Sequence, residues 1–268
     1  MNADVLRTAR TLLFVPGNRP DRFAKADAAG ADIVVIDLED AVAPADKDSA
    51  RDAVAQWLSD GHDALVRINS ADTQWFDADV AMLGASGAPA MLAKAEEPAM
   101  VSTLAATASS VIPLVETAVG IVRSAELAAV PGVARLAFGA IDFAAELGVD
   151  PDDREALLLA RSTLVLASAA AHLGSPVDGV TTALRDVDKL SDDVGYAARI
   201  GLRGKLCIHP SQVSTVHGCL APSDEEVAWA QRIVDAARAD GSAVAVDGHM
   251  VDPPVVARAH QILAAARP

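Results

Sequence analysis

Eight short apolar runs, each closed by a turn signal and separated from the next by an Ala-rich stretch, restrict the architectures open to this chain. They fall at residues 11–15, 33–38, 64–68, 90–93, 111–115, 135–138, weakly near 176–178, and at 205–208. Between them, helical spacing marks 51–58, 119–129, 155–171 and 186–200. Strands that alternate with helices form a parallel sheet. Eight such units in 268 residues favour closure into a (β/α)8 TIM barrel over an open doubly wound sheet. No Gly-x-Gly-x-x-Gly follows the first run; its loop, Pro16-Gly-Asn-Arg-Pro20, suits a tight exposed turn instead of a dinucleotide loop.

Beyond the eighth run, Ser223-Asp-Glu-Glu226 reads as a capping box opening a helix that ends near Asp240, before Gly241. A last apolar-periodic helix occupies 255–266. The expected division is a barrel catalytic domain over residues 1–220 and a C-terminal helical tail over 221–268. Such a tail can serve as a lid over a barrel mouth, its own or a neighbour's.

Hydrophobic residues make up 51% of the chain, yet no uninterrupted apolar stretch reaches the roughly 18 residues that span a bilayer. Met1 to Arg10 carry Asp4 and Arg7 and show no apolar core of a signal peptide. Cys207 and Cys219 have no metal or disulfide spacing. A cytoplasmic setting without membrane partners is therefore expected. A formal charge of −15 repels polyanions and argues against nucleic acid. Arg19, Arg22 and Lys25 nevertheless gather cations that could meet a phosphorylated small molecule.

In a parallel barrel the reacting groups gather at the C-terminal ends of the strands. Glu116 and Asp142 lie just past the fifth and sixth runs, where the alternative role is capping the following helix. Two hard carboxylates without clustered His or Cys favour Mg²⁺ or Mn²⁺ over zinc. Arg67 interrupts an aliphatic run; it either binds substrate oxygen or pairs with Asp37 or Glu39. Asp37, Glu39 and Asp40 close the second run. At least one should face the cation or its water shell, and Glu39 joins the catalytic set. Lys94 ends the fourth run and is read as an ion-pair partner of Glu39 or Glu116, with a Schiff-base lysine as the alternative. His209 reads as a hydrogen-bonded histidine and not as a ligand.

Seven segments carry a family resemblance. They are Thr11-Leu-Leu-Phe-Val-Pro-Gly-Asn-Arg-Pro-Asp-Arg-Phe-Ala-Lys-Ala26, Asp37-Leu-Glu-Asp-Ala-Val42, Val66-Arg-Ile-Asn69, Val115-Glu-Thr-Ala118, Phe138-Gly-Ala-Ile-Asp142, Ile208-His-Pro-Ser-Gln-Val213 and Asp247-Gly-His-Met-Val-Asp252. Together they resemble the citrate lyase β-subunit-like proteins, within the HpcH/HpaI aldolases and acyl-CoA lyases. The resemblance implies a TIM barrel, usually a homotrimer, with magnesium on Glu116 and Asp142. It implies that Arg67 meets the oxo acid or hydroxyacyl portion and that Arg19 and Lys25 meet coenzyme A phosphates. It further implies that Asp252, on a tail supplied to an adjacent subunit, takes part in proton transfer. Two positions depart from the pattern: Ile141 stands where many relatives have Glu, and Ala93 where Pro is common.

The activity so implied is reversible cleavage of a short carboxylated 3-hydroxyacyl-CoA, of malyl-CoA or citramalyl-CoA type, to acetyl-CoA or a homologue and a 2-oxo acid. The alternatives are a citrate lyase β subunit acting on a citryl thioester of an acyl carrier protein, a coenzyme A-independent aldolase, and a noncatalytic binder of coenzyme A esters.

Overall fold

A computed structural model describes residues 1–240, 244–246 and 249–266. Asp247 and Gly248, which open the seventh of the segments above, lie outside the described residues. The eight runs become parallel strands β1 (Thr11–Pro16), β2 (Ile33–Asp37), β3 (Leu65–Ile68), β4 (Ala90–Leu92), β5 (Val111–Val115), β6 (Ala137–Phe138), β7 (Val177–Asp178) and β8 (Gly204–Cys207). They close in sequence order, with β8 returning to β1. The fold is a (β/α)8 barrel.

The barrel unit spans Met1–Cys219 and the second compact unit Leu220–Pro268. Helix α1 (Ala3–Thr8) precedes β1, and α2 (Phe23–Asp27), α3 (Lys47–Ser59), α4 (Phe76–Ser86) and α5 (Pro98–Ala105) follow the first four strands. The expected helix at 119–129 is two pieces, α6 (Ala118–Val122) and α7 (Ser124–Ala128). They meet at Arg123, whose guanidinium reaches out to Glu97 (2.5 Å) and Glu126 (3.2 Å) while Ser124 is buried. Then come α8 (Ala140–Leu147), α9 (Arg154–Ala170), α10 (Val187–Arg199) and α11 (Val213–Leu220).

Side chains alternate along a strand, so residues two apart share a face. Leu12, Val35, Leu65, Met91, Leu114, Ala137, Val177 and Leu206 belong to one buried cluster, which Leu6 and Ala9 also join. Two residues further along their strands stand Phe14, Asp37, Arg67, Ala93, Glu116 and Gly139. From that cluster toward the C-terminal end the layers pass from apolar to charged, while at the opposite end the buried Arg135 guanidinium donates to the Ala9 carbonyl (2.5 Å).

The two-residue strand β7 has little ladder of its own. Its Asp178 is buried and accepts from Arg161 Nε (2.8 Å) and Lys205 Nζ (3.0 Å), tying β7 to α9 and β8. Those two cations outweigh the burial of Asp178 and hold its carboxyl below its usual range.

The second unit packs α12 (Asp224–Asp240) against α13 (Pro253–Ala265) beside an antiparallel pair, β9 (Val244–Val246) and β10 (His249–Val251). The capping box forms: Ser223 N–H donates to Glu226 Oε2 (2.9 Å), and Glu226 N–H to Ser223 Oγ (3.1 Å). Among the described residues no helix is long and apolar enough to cross a membrane.

Removing one partner of a buried ion pair leaves an uncompensated charge. Asp178→Ala should therefore cost about 3–5 kcal/mol in urea unfolding, whereas Asp21→Ala, at an exposed pair with Arg19, should leave the midpoint unchanged.

Candidate active site

The register sets the site. Asp37 on β2 stands beside Arg67 on β3, about 4.8 Å being the spacing of adjacent strands. Their side chains meet as a bidentate pair, Nε to Oδ1 and Nη2 to Oδ2, both 2.7 Å. Asp37 also accepts from the N–H groups of Glu39 (2.8 Å) and Ala41 (3.0 Å), so both its oxygens are occupied. Arg67 Nη1 lies 3.1 Å from Glu39 Oε2, and its guanidinium sits over the Phe14 ring. Burial alone would lower the Arg67 pKa, but Asp37 and Glu39 overcome that and raise it. Of the two partners left open by the sequence, Arg67 therefore has both.

Glu39 is buried and bridges two cations. Its Oε1 accepts from Lys94 Nζ at 2.5 Å, the ion pair expected for that lysine. Burial works against the Lys94 ammonium, yet the Glu39 bond and charge hold it above its ordinary value. Such a cation is a poor Schiff-base nucleophile.

Glu116 is 2% exposed and receives one hydrogen bond among the described residues, from Lys94 N–H to Oε1 (2.8 Å). Gly139 makes room for it, since a Cβ there would overlap the Glu116 side chain. Asp142 occupies the first turn of α8, half-buried, and its charge is felt at Glu116. Neither acid caps a helix: Thr117 caps α6, and Gly139 precedes α8 without a side-chain cap. Burial, with Asp142 and Glu39 adding to it, pushes the Glu116 carboxyl up to about 8 despite the Lys94 N–H and Arg67.

This donor set fits a hard divalent cation. Glu116 Oε2 and both Asp142 oxygens accept no hydrogen bond among the described residues, and a cation between the two acids would reverse the burial and repulsion that neutralise Glu116. No group of three or more His, Cys, Asp or Glu side chains converges on one point among the described residues. Two protein carboxylates with the other positions left to water and substrate is a magnesium habit.

Beneath the mouth lies a network that sequence reasoning missed. Lys47 is buried, and its ammonium donates to the carbonyls of Leu38 and Glu39 (both 2.7 Å) and to Asn69 Oδ1 (2.6 Å). Asn69 Nδ2 in turn donates to Asp79 Oδ2, and Arg51 Nε to Asp79 Oδ1, both at 2.7 Å. Lys47 thus fastens the exit of β2 to that of β3. Polar residues carry no apolar period, so the pattern offered no signal for it.

Arg19, in the turn after β1, pairs with the exposed Asp21 (2.8 Å), and Lys25 is exposed on α2. His209 Nδ1 accepts from Ser211 N–H (3.1 Å), capping a short turn. In the second unit Asp252 caps α13, Val255 N–H donating to its Oδ1 (3.1 Å).

Residues 10–210 match the HpcH/HpaI aldolase/citrate lyase family. The chain belongs to that family. It is an enzyme of the carbon–carbon lyase type, as family members are. A citrate lyase subunit beta-like protein of Mycobacterium tuberculosis is 41% identical over 94% of this chain and 93% of its own. A (3S)-malyl-CoA thioesterase of Cereibacter sphaeroides is 34% identical over 96% of this chain and 94% of its own. The crystal structure of protein CitE from M. tuberculosis in complex with magnesium, acetoacetate and coenzyme A superposes with a TM-score of 0.84, at 38% identity, covering 97% of this chain and 98% of that one.

A carboxyl whose folded pKa exceeds its unfolded value stabilises the fold at low pH and loses that contribution as pH rises through the folded value. For Glu116 the window runs from the ordinary carboxyl range to about 8. In chelator-treated buffer, Glu116→Gln should melt close to the parent near pH 5 and progressively above it between pH 5 and 8, followed by circular dichroism. Parallel melting curves at every pH would contradict the burial of an underpaired acid.

Proposed function

We propose that this chain is a magnesium-dependent lyase that reversibly cleaves a short carboxylated 3-hydroxyacyl-CoA, of malyl-CoA or citramalyl-CoA type, to acetyl-CoA or a homologue and a 2-oxo acid. The observation that carries the reading is Glu116, a buried acid with one free oxygen, set beside Asp142 and the fixed guanidinium of Arg67 at the C-terminal mouth. The named contents of the M. tuberculosis structure, magnesium with an oxo acid and coenzyme A, support the same chemistry.

Glu116 and Asp142 would hold the ion. When bound, magnesium would supply Lewis acidity toward the hydroxyl and carboxylate oxygens of the substrate and lower the hydroxyl pKa, so that its proton leaves to solvent water. Arg67, kept rigid by Asp37, offsets negative charge on the oxygen that becomes the oxo group. Glu39 takes part by holding Arg67 and Lys94 together. Breaking the carbon–carbon bond leaves its electron pair on the thioester enolate, and Asp252 delivers a proton to that carbon; in reverse it removes one. In this reading Asp252 comes from the C-terminal unit of an adjacent copy in a homotrimer, residues 221–268 acting as the lid of a neighbour's barrel 1–220. Arg19 and Lys25 receive the phosphates of coenzyme A, and the enzyme works in the cytoplasm.

A citrate lyase subunit beta of Leuconostoc mesenteroides, 33% identical over 98% of this chain and 94% of its own, keeps a second reading in play: a citryl thioester on an acyl carrier protein. Pure protein with Mg²⁺ should cleave one or more of malyl-, methylmalyl- and citramalyl-CoA, read out by mass, and leave the free acids intact. Cleavage of a carrier-bound citryl thioester alone would favour the second reading.

Asp252→Asn should keep the fold and magnesium affinity while lowering kcat by about 10²–10⁴-fold, the usual weight of general acid–base help. Normal turnover in that variant would refute the assigned role.

A further inference from the structure

Among the described residues, Lys94 and His172 are the non-glycine residues with positive φ, at 48° and 55°. His172 lies just after α9 ends; Lys94 lies at the mouth, where β4 gives way to its loop. The left-handed region is unfavourable for a residue with a Cβ, so the surroundings must enforce it. Both peptides flanking Lys94 are anchored. Its own N–H donates to Glu116 Oε1 (2.8 Å), and the next N–H, of Ala95, donates to the Leu114 carbonyl (3.0 Å). Turning φ negative with Ala95 held would swing the Lys94 N–H off Glu116. In its observed conformation the side chain reaches Glu39 Oε1, whose other oxygen meets Arg67.

We propose that Lys94 is a positioning residue with two separable arms: its left-handed backbone aims Glu116 at the cation, and its ammonium, through Glu39, holds Arg67 in place for the oxo acid. This rests on the reading of Glu116 as a cation holder. The backbone arm needs no particular side chain, only one that tolerates positive φ. Glycine adopts that conformation freely and asparagine more readily than most residues, whereas β-branched valine resists it. Side-chain charge and backbone geometry can therefore be removed one at a time.

The test is calorimetric titration of the full chain with MgCl₂, then with pyruvate at saturating MgCl₂, on the parent, Lys94→Gly, Lys94→Asn, Lys94→Val and Glu116→Gln. Lys94→Gly and Lys94→Asn should bind Mg²⁺ close to the parent and pyruvate about tenfold more weakly, one charged contact's worth. Lys94→Val should lose about 10–100-fold in Mg²⁺ affinity, as removal of a residue orienting a ligand does. If it fails to fold, Lys94→Ala replaces it, with a smaller loss in the same direction.

Equal Mg²⁺ loss in the glycine and valine variants would overturn the backbone arm, as would parental affinity in both. Undiminished pyruvate binding by Lys94→Gly would overturn the ammonium arm. A parent that binds no Mg²⁺, or Glu116→Gln binding it as tightly as the parent, would instead bring down the cation reading itself and Lys94's first arm with it.

Discussion

A guanidinium buried at the mouth of a barrel is tolerable only when carboxylates meet it, because taking a charge out of water costs several kcal/mol after relaxation. The pairing of Arg67 with Asp37 and Glu39 is the constraint from which the rest of the mouth follows. Asp37 is spent entirely on this pair and on two backbone N–H groups. Glu39, buried too, needs a second cation, and Lys94 supplies it. The carbonyls of Leu38 and Glu39 need donors where the chain leaves the sheet, and the Lys47 ammonium serves both. Acids leaving β2 are thus each met by a cation from β3 or β4, which offsets the cost of their burial.

Glu116 is left out of that pairing. It is as buried as its neighbours, yet Arg67 has already given its closest contacts to β2, and Lys94 offers Glu116 its backbone N–H while its ammonium goes to Glu39. The deficit is local and positive charge would fill it. Departures from ordinary packing cluster around this acid: the absent Cβ at Gly139 and the left-handed Lys94. Local rules broken together at one place are what a functional site imposes on a stable scaffold.

The barrel was legible because a parallel strand buried on both faces reads as a continuous apolar run, and eight such runs leave few alternatives. Even the two-residue strands β6 and β7 left a trace. The end of a run also marks the mouth, which is why Arg67, Glu116, Lys94 and the acids at 37 and 39 stood out. What stayed illegible was direction and conformation. Sequence could offer Arg67 to substrate or to an acid but could not say that both Asp37 and Glu39 hold it, since that depends on register between strands 30 residues apart. Lys47 was hidden because hydropathy assigns lysine to the surface, and only three converging acceptors make its burial possible. The break at Arg123 was hidden for a related reason: the apolar period runs through it, and the acids that draw its guanidinium outward are distant in sequence or one turn ahead.

Strength of pairing also divides the cations of this acidic chain into two kinds. Arg67 is only 11% exposed, held bidentate and twice compensated, so nothing arriving from solvent can reorient it without stranding Asp37. Arg19, its side chain 43% exposed, is paired with one exposed acid two residues away, and a solvent-accessible pair of that kind contributes little. A phosphate offered to Arg19 replaces one solvated anion with another of higher charge. A carboxylate offered to Arg67 finds a guanidinium whose orientation is already fixed. The end of the mouth that would face the reacting atoms is therefore preorganised, and the end that would face a polyphosphate is exchangeable. A net charge of −15 does not prevent anion binding under these conditions, because screening over about 8 Å leaves each end governed by its own few cations.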